Sequence, residues 1–478
     1  MLLSTQYSPP FLARVEATTS SNDGAVKDEV MTKEHVNNKR AAPASPPPEQ
    51  QEMSQLRMYK HVKHTPTPKL IGQGTYCQVF QYNSQEVTKV IESGHREGLS
   101  PSQLRECNFY FRLAAPVNEL LECKLLSLSH SPSNFTHALT LSMPRMDGDL
   151  WMTKIPRGAI LKMLPHIVDD ISCALHRMHL SKILHRDIKP GNILYTARGS
   201  KFFLIDFGAT NNIEVQTKTT DWCTYMFCAP EAAPPKRAAN YTFASDVYSF
   251  AASIINLIFN KPDGQKGTFD WKKFASEEKW SNPTLPWKEV LVQGVDPDPE
   301  KRCTLTDIRR AFGLSVSETE PWNQPLPLVN IAPASLQSIK SILNTITTPD
   351  VDGMERVYTW MAEVAIHEKW DKLTFLNSVQ LFNDYLVSSR RGPIVRATLQ
   401  CVALSCMSIS QKVFEDFYAD ILDIASFSGG ACTSTDIYQM EVAIWVCLGY
   451  AMVRRPVSFN YQAMPWEDLV KYVCSHSI

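Results

Sequence analysis

A Pro-rich stretch, SVSETEPWNQPLPLVNIAPAS (315–335), divides this chain and constrains its fold more than any other feature. It carries little periodicity and reads as a linker. Before it, strand-like and helical patterns mix; after 335 only helices separated by short breaks remain. At 478 residues the chain exceeds the size at which one core keeps growing, so several domains are expected. Residues 1–64, rich in Ser, Thr, Pro, Lys and Glu and containing AAPASPPPEQQEM, bury too little apolar area to order themselves. The expected division is a disordered tail at 1–64, a mixed domain at 65–314, a linker at 315–334, a helical domain at 335–465 and a C-terminal tail at 466–478.

Composition removes some classes of function. With 48 Lys+Arg against 49 Asp+Glu and no long basic block, there is no electrostatic footprint for nucleic acid or an anionic membrane. No apolar run reaches the ~18–20 residues of a membrane span. MLLSTQYSPPFLARVE is too interrupted by Pro for a secretory segment. Twelve Cys, with neither C-x-x-C pairs nor Cys/His ligand spacing, argue against a disulfide framework and against zinc. An intracellular chain is expected, nuclear or cytoplasmic, without nucleic acid or membrane as partner.

Within 65–314, Ile160, Leu164, Ile167, Ile171, Leu175 and Met178 keep helical spacing, and ASDVYSFAASIINLIF (244–259) is apolar nearly all round, as in a core helix. LIGQGTYCQVF (70–80) places Gly72 and Gly74 between apolar strand ends, where backbone can approach phosphate without a Cβ clash. Cys77 stands where a third glycine is usual in such loops. ILHRDIKPGNILY (183–195), FLIDFGA (203–209) and CAPE (228–231) follow in order. Together they resemble the catalytic loop, the metal-binding loop and the end of the activation segment of eukaryotic protein kinases.

That resemblance implies an α+β, bilobal fold, with a small β-rich N-lobe and a large helical C-lobe, and transfer of phosphate from ATP, with Mg²⁺, to Ser or Thr of protein substrates. Phosphoryl transfer asks for positioning and charge neutralisation more than covalent help. By the resemblance Asp187 accepts the substrate hydroxyl proton, Lys189 neutralises the γ-phosphate, and Asn192 and Asp206 ligate Mg²⁺. The strand lysine is Lys89 in EVTKVIE, since Val87 and Lys89 share a strand face and no other lysine fits before Glu106, its expected partner. The short interval from Val79 to Lys89 asks for a tight hairpin around Asn83-Ser84. The ATP site is expected to comprise Ile71, Gly72, Gly74, Val79, Val87, Lys89, Met146 and Asp149. Asp246 and Arg302 match structural positions.

SPSQLRE (100–106) resembles the signature helix of the cyclin-dependent kinases, and GQGTY carries Thr75 and Tyr76 at that family's inhibitory phosphorylation sites. Counting back from Glu231 puts Thr219 at the activating site, with Thr220 as neighbour. Arg105 and Arg186 are the arginines implied to receive that phosphate, while Asn211 stands where a third basic residue is expected. Thr224 corresponds to the threonine that touches the catalytic loop. Cys228, in place of Arg, leaves a preference for Ser/Thr-Pro open.

In that family a separate cyclin covers the signature helix. Here ERVYTWMAEVAIHEKW (355–370), LTFLNSVQLFNDYL (373–386), IVRATLQCVALSCMSISQK (394–412), DFYADILDIASF (416–427) and TSTDIYQMEVAIWVCLGY (433–450) resemble a five-helix cyclin box. The third, with small residues Ala397, Cys401, Ala403 and Cys406, suits the bundle centre. Lys412 and Glu441 fall on the pair that binds the kinase. Trp360 and Glu363 fall on the docking-surface pair, although Gly353 and Arg356 replace its apolar neighbours. A kinase fused to its own activator is implied, and a linker of ~20 residues spans ~65 Å at ~3.3 Å each, enough for contact in cis or in trans. The rival is an interaction protein whose cyclin-like part recruits other cyclin-dependent kinases or substrates over a scaffold kinase. The intact set Lys89, Glu106, Asp187, Asn192 and Asp206 weighs against it.

Overall fold

The computed structural model describes residues 68–73, 77–81, 83–93, 98–131, 136–153, 155–196, 201–214, 224–233, 241–259, 269–277, 287–346, 353–415, 417–453, 457–476 and 478. The expected tail at 1–64, Gly74, Thr75, Tyr76, Thr219 and Thr220 lie outside the described residues. Leu70–Ile478 form one compact unit.

β1 (Lys69–Gln73), β2 (Cys77–Gln81), β3 (Glu86–Ser93), β4 (Lys124–Ser131) and β5 (Thr136–Pro144) make one sheet in the order β1-β2-β3-β5-β4. β3 runs antiparallel between β2 and β5, with Val79 opposite Lys89 and Gln81 opposite Val87. The turn between them is set by Asn83, whose Oδ1 accepts the N–H groups of Gln85 and Glu86 at 2.8 Å each. α1 (Pro101–Arg112) connects β3 to β4. Ser100 caps it by accepting the Gln103 N–H, and Pro101 occupies the first turn, where no N–H is needed.

In the larger lobe α2 (Arg157–Leu180) buries all six residues of the apolar repeat from Ile160 to Met178. α3 (Phe243–Phe259) is buried from Ser245 to Ile258, as its all-round apolar sequence requires. α4 (Trp271–Glu277), α5 (Lys288–Gly294) and α6 (Leu305–Ala311) complete the lobe, the last opened by a Thr304–Asp307 capping box. Short strands carry the loops between the lobes: β6 (Gly148–Asp149), β8 (Ile193–Tyr195) and β9 (Phe202–Leu204) in one sheet, β7 (Ile183–Leu184) and β10 (Asn211–Asn212) in another.

The Pro-rich linker is not a loose tether. Trp322 stacks on His176 of α2 with ring centroids 4.3 Å apart, and the Arg309 guanidinium lies over the same indole, 4.8 Å from its ring centre. Leu328 then forms an antiparallel bridge with Leu113 at the end of α1.

After it come α7 (Leu336–Ile346), α8 (Gly353–His367), α9 (Lys372–Val387), α10 (Arg396–Phe414), α11 (Ile421–Ser426), α12 (Ser434–Cys447) and α13 (Trp466–Ser475). α10 is central: it is buried from Cys401 to Phe414 and packs against α8, α9, α11 and α12, while Ala397 is exposed. The expected five helices are flanked by two more. α7 precedes them and buries Ile339 and Leu343. α13 falls in the segment 466–478 expected to be a tail; it buries Leu469, Val470 and Val473 and packs on α8, because three apolar residues on one face suffice to dock a short helix. No helix among the described residues is long and apolar enough to cross a membrane.

Candidate active site

β3 and α1 bring Lys89 and Glu106 together. Lys89 Nζ lies 2.6 Å from Glu106 Oε1 and 2.8 Å from Oε2, with side chains 12% and 3% exposed. Burial opposes the charge on Lys89, but the carboxylates of Glu106 and Asp206 outweigh it and hold the ammonium above the usual lysine range. Burial lifts the Glu106 carboxyl above its ordinary range, against the pull of Lys89. α1 is itself seated on the DFG segment: Phe109 stacks on Phe207 at 3.8 Å, and Tyr110 meets the same ring edge-on. At Gly208 a Cβ would fall 2.2 Å from Ser102 Oγ, so the helix and the segment approach as closely as glycine permits. Asp206 sits in a left-handed conformation, φ 68°.

Asp187 is held on both carboxylate oxygens. Its Oδ1 accepts the Thr224 N–H at 3.1 Å and Oγ1–H at 2.8 Å; its Oδ2 accepts Lys189 Nζ at 2.7 Å and Asn192 Nδ2 at 3.1 Å. Lys189 Nζ also donates to Thr224 Oγ1 at 2.8 Å. Because Asn192 turns its amide nitrogen to Asp187, its carbonyl oxygen is the group left for a hard cation, and with the Asp206 carboxylate it makes an all-oxygen donor pair that fits Mg²⁺. Beneath the loop, buried Asp246 accepts the N–H groups of His185 and Arg186 and pairs with His179 Nε2 at 3.0 Å. Burial works against its charge, yet these donors hold its carboxyl below the ordinary range. Burial pushes the His185 imidazole below its ordinary range. Arg302 grips Glu231 with two 2.7 Å hydrogen bonds and anchors the end of the activation segment.

The remaining positions expected at the ATP site line the sheet and the connection below it. Ile71 is 46% exposed on β1; Gly72 approaches Val79, where a Cβ would be 3.6 Å from the valine Cβ. Val87 is buried opposite Met143, and Met146 is half-buried. Asp149 Oδ1 accepts the N–H groups of Trp151 and Met152 at 2.8 and 2.7 Å. Cys228 is buried, its Sγ 3.9 Å from Tyr241 Oη.

The end of α10 meets α1. Lys412 Nζ and Glu441 Oε1 are 2.6 Å apart with neither side chain exposed, and Glu441 Oε2 accepts the Leu99 N–H at 3.2 Å. Gly98, at φ +73°, lies against this pair; a Cβ there would be 2.5 Å from Glu441 Oε2. Carbonyls at a helix C-terminus lack internal partners, and here α1 and β10 supply them. Arg105 donates to the Val413 and Glu415 carbonyls at 2.9 Å each, and Asn211 Nδ2 to that of Phe414 at 2.9 Å. A buried guanidinium also suits the negative end of the helix dipole. Asn108 Oδ1 accepts the Val453 N–H at 2.7 Å, and Phe111 packs on Tyr450 with centroids 5.3 Å apart.

Some of these contacts were missing in the reading of the sequence. Arg105, expected at the activating phosphate, donates to α10 carbonyls, and Arg186 Nε donates to the Ala209 carbonyl at 2.6 Å, while Thr219 lies outside the described residues. Asn211, expected only as a missing cation, is a contact to α10. Asn108 gave no signal at all, although its place one helical turn from Leu104 and Arg105 put it on the same face. Trp360, half-buried, and Glu363, exposed, lie one turn apart on α8, which packs against α7, α9, α10 and α13.

A family model for the protein kinase domain matches residues 67–311, and one for the cyclin N-terminal domain matches 340–453. A probable cell division protein kinase of Encephalitozoon cuniculi is 27% identical over 40% of this chain and 71% of its own length. A cyclin-dependent kinase 4 homolog of Caenorhabditis elegans is 29% identical over 40% of this chain and 49% of its own. Serine/threonine-protein kinase 10 of Danio rerio is 25% identical over 53% of this chain, which spans only 27% of that protein. Among solved structures, the CAK complex of Chaetomium thermophilum bound to ATP-γ-S is similar at TM-score 0.40 and 22% identity, over 59% of this chain and 99% of that one. The chain belongs to the protein kinase family, as a serine/threonine kinase of the cyclin-dependent type that carries a cyclin domain in the same polypeptide.

Proposed function

We propose that the cyclin domain activates the kinase domain of its own chain, and that the assembled site transfers the γ-phosphate of ATP to Ser or Thr of protein substrates. The observation that carries this reading is the coincidence of two buried ion pairs on α1: Lys89–Glu106 inside the kinase, and Lys412–Glu441 against the residues that open the helix. With α10 covering one face of α1, Glu106 is held on Lys89, and Lys89 is held where nucleotide phosphates would pass beneath β1 and β2. Asp187 takes the substrate hydroxyl proton, its carboxylate aimed by Thr224 and Lys189. Lys189 then faces the transferred phosphoryl group. Asn192 and Asp206 would hold Mg²⁺, which would neutralise charge on the phosphates.

Asp187→Asn is the control for chemistry, and Lys412→Glu for docking. Both variants should be folded and at least ~100-fold less active than the native chain in peptide phosphorylation. Full activity in Lys412→Glu would refute activation by the in-chain cyclin domain.

A further inference from the structure

The proposed docking restrains α1 along one flank, but the helix has a second restraint at its far end. The Pro-rich segment runs from the large lobe to that end along hydrogen bonds at nearly every step. Asn323 Oδ1 pairs with His176 Nε2 at 2.9 Å, the Gln324 carbonyl accepts Arg177 Nε at 3.1 Å, and the Leu326 N–H donates to Ser181 Oγ at 2.8 Å. It then pairs with the residues that close α1. The Ala114 N–H donates to the Pro327 carbonyl at 2.6 Å, and the Val329 N–H to the Arg112 carbonyl at 2.7 Å, on either side of the Leu113–Leu328 bridge.

We infer that residues 321–329 are a positioning strap that holds the C-terminal end of α1 to the large lobe and so fixes Glu106 from the side opposite the Leu99–Glu441 contact. α1 is 12 residues, or ~18 Å at ~1.5 Å each, with Glu106 at its middle. A rod held only near its start can swing about that point; a rod tied at both ends cannot. Pro321, Pro325 and Pro327 remove backbone freedom from the strap, so it resists extension as a Gly/Ser linker would not. A cavity of ≈ 520 Å³, lined by Phe109, Leu326, Leu328 and Phe414 among others, lies between the strap and the end of α10. The two restraints therefore reach α1 separately. The inference goes beyond activation by the cyclin domain and does not depend on it.

Val329 is 39% exposed, so its side chain carries little, and Val329→Pro in the full chain removes the N–H that holds Arg112 and restricts the backbone at Leu328, both at the tie to α1. Val329→Ala keeps that N–H and is the matched control. We expect Val329→Pro to lower kcat for peptide phosphorylation about fivefold, the equilibrium factor of one hydrogen bond. It should also speed amide exchange across 107–113, with the melting temperature of the cyclin domain unmoved; Val329→Ala should match the native chain in all three. Trp322→Ala, which frees the strap at its other anchor, should reproduce the exchange and kcat effects even if the proline variant folds poorly. Native kcat and native protection of 107–113 in both Val329→Pro and Trp322→Ala would overturn the strap. Lys412→Glu, run beside them, separates the two readings. Loss in Lys412→Glu alone leaves cyclin activation standing and removes the strap; loss in the strap variants alone does the reverse.

Discussion

Replacing Lys412 by methionine tests the interface where its energetics are steepest. The substitution nearly preserves length and volume, but it leaves the Glu441 carboxylate, with no solvent exposure, stripped of the ammonium 2.6 Å away. An unpaired buried charge of this kind costs roughly 3–5 kcal/mol. At ~1.4 kcal/mol per factor of ten, that lowers the docked fraction by roughly 10² to 4 × 10³ once the tethered equilibrium is no longer saturated. The double change Lys412→Met with Glu441→Gln buries no charge, and the glutamine oxygen can still accept the Leu99 N–H. It should therefore recover most of the lost activity, to within about tenfold of the native chain. Initial rates of phosphate transfer from ATP to a Ser/Thr peptide give the comparison, and a thermal melt of each protein checks that it is folded. A Lys412→Met protein within twofold of native kcat/KM would refute the reasoning, as would a double variant worse than the single one.

Other outcomes follow from the same contacts. Gly98→Ala forces a side chain into a left-handed backbone and against Glu441 Oε2; we expect at least a tenfold drop in activity, read by the same kinetic assay. Asn211→Ala removes one donor from the Phe414 carbonyl and should cost about 1 kcal/mol of domain docking, measured as an earlier unfolding step in urea. Lys89→Met should abolish transfer, because it removes the ammonium that faces the phosphates and leaves buried Glu106 unpaired, while circular dichroism still shows the native secondary structure. Acid should weaken the strap's anchor. Burial holds the His176 imidazole below its ordinary range, so the unfolded chain takes up the proton first, and the contribution present above pH ~6.5 is lost as the pH falls below it. Melting temperatures between pH 7.5 and 5.5 should fall less steeply in His176→Gln than in the native chain.

Much of the fold was legible where function is local in the chain. The loop residues Asp187, Lys189 and Asn192 lie within six positions, and their mutual hydrogen bonds follow from that spacing once Thr224 is added. The repeats in α2 and the apolar run of α3 report burial directly, since helical period and core face are the same fact. What the sequence hid depends on contacts between distant segments. Asn211 reads as a lost cation until Phe414 is placed beside it. Trp322, Leu326 and Leu328 have no period because each meets a different element, and the ties to the end of α1 are backbone hydrogen bonds of Pro327 and Val329 that leave no side-chain signature. α13 was missed because ten residues after Pro465 offer too few turns for a periodic signal.

Activation within one chain can be told from activation between chains by mixing two variants. Lys412→Glu retains an intact kinase site but cannot dock its own cyclin domain; Asp187→Asn retains an intact cyclin domain on a silent kinase. Native specific activity should stay constant across a thousandfold dilution, and an equimolar mixture of the two variants should remain as inactive as either alone. Native activity that falls on dilution, or a mixture that regains it, would contradict activation in cis.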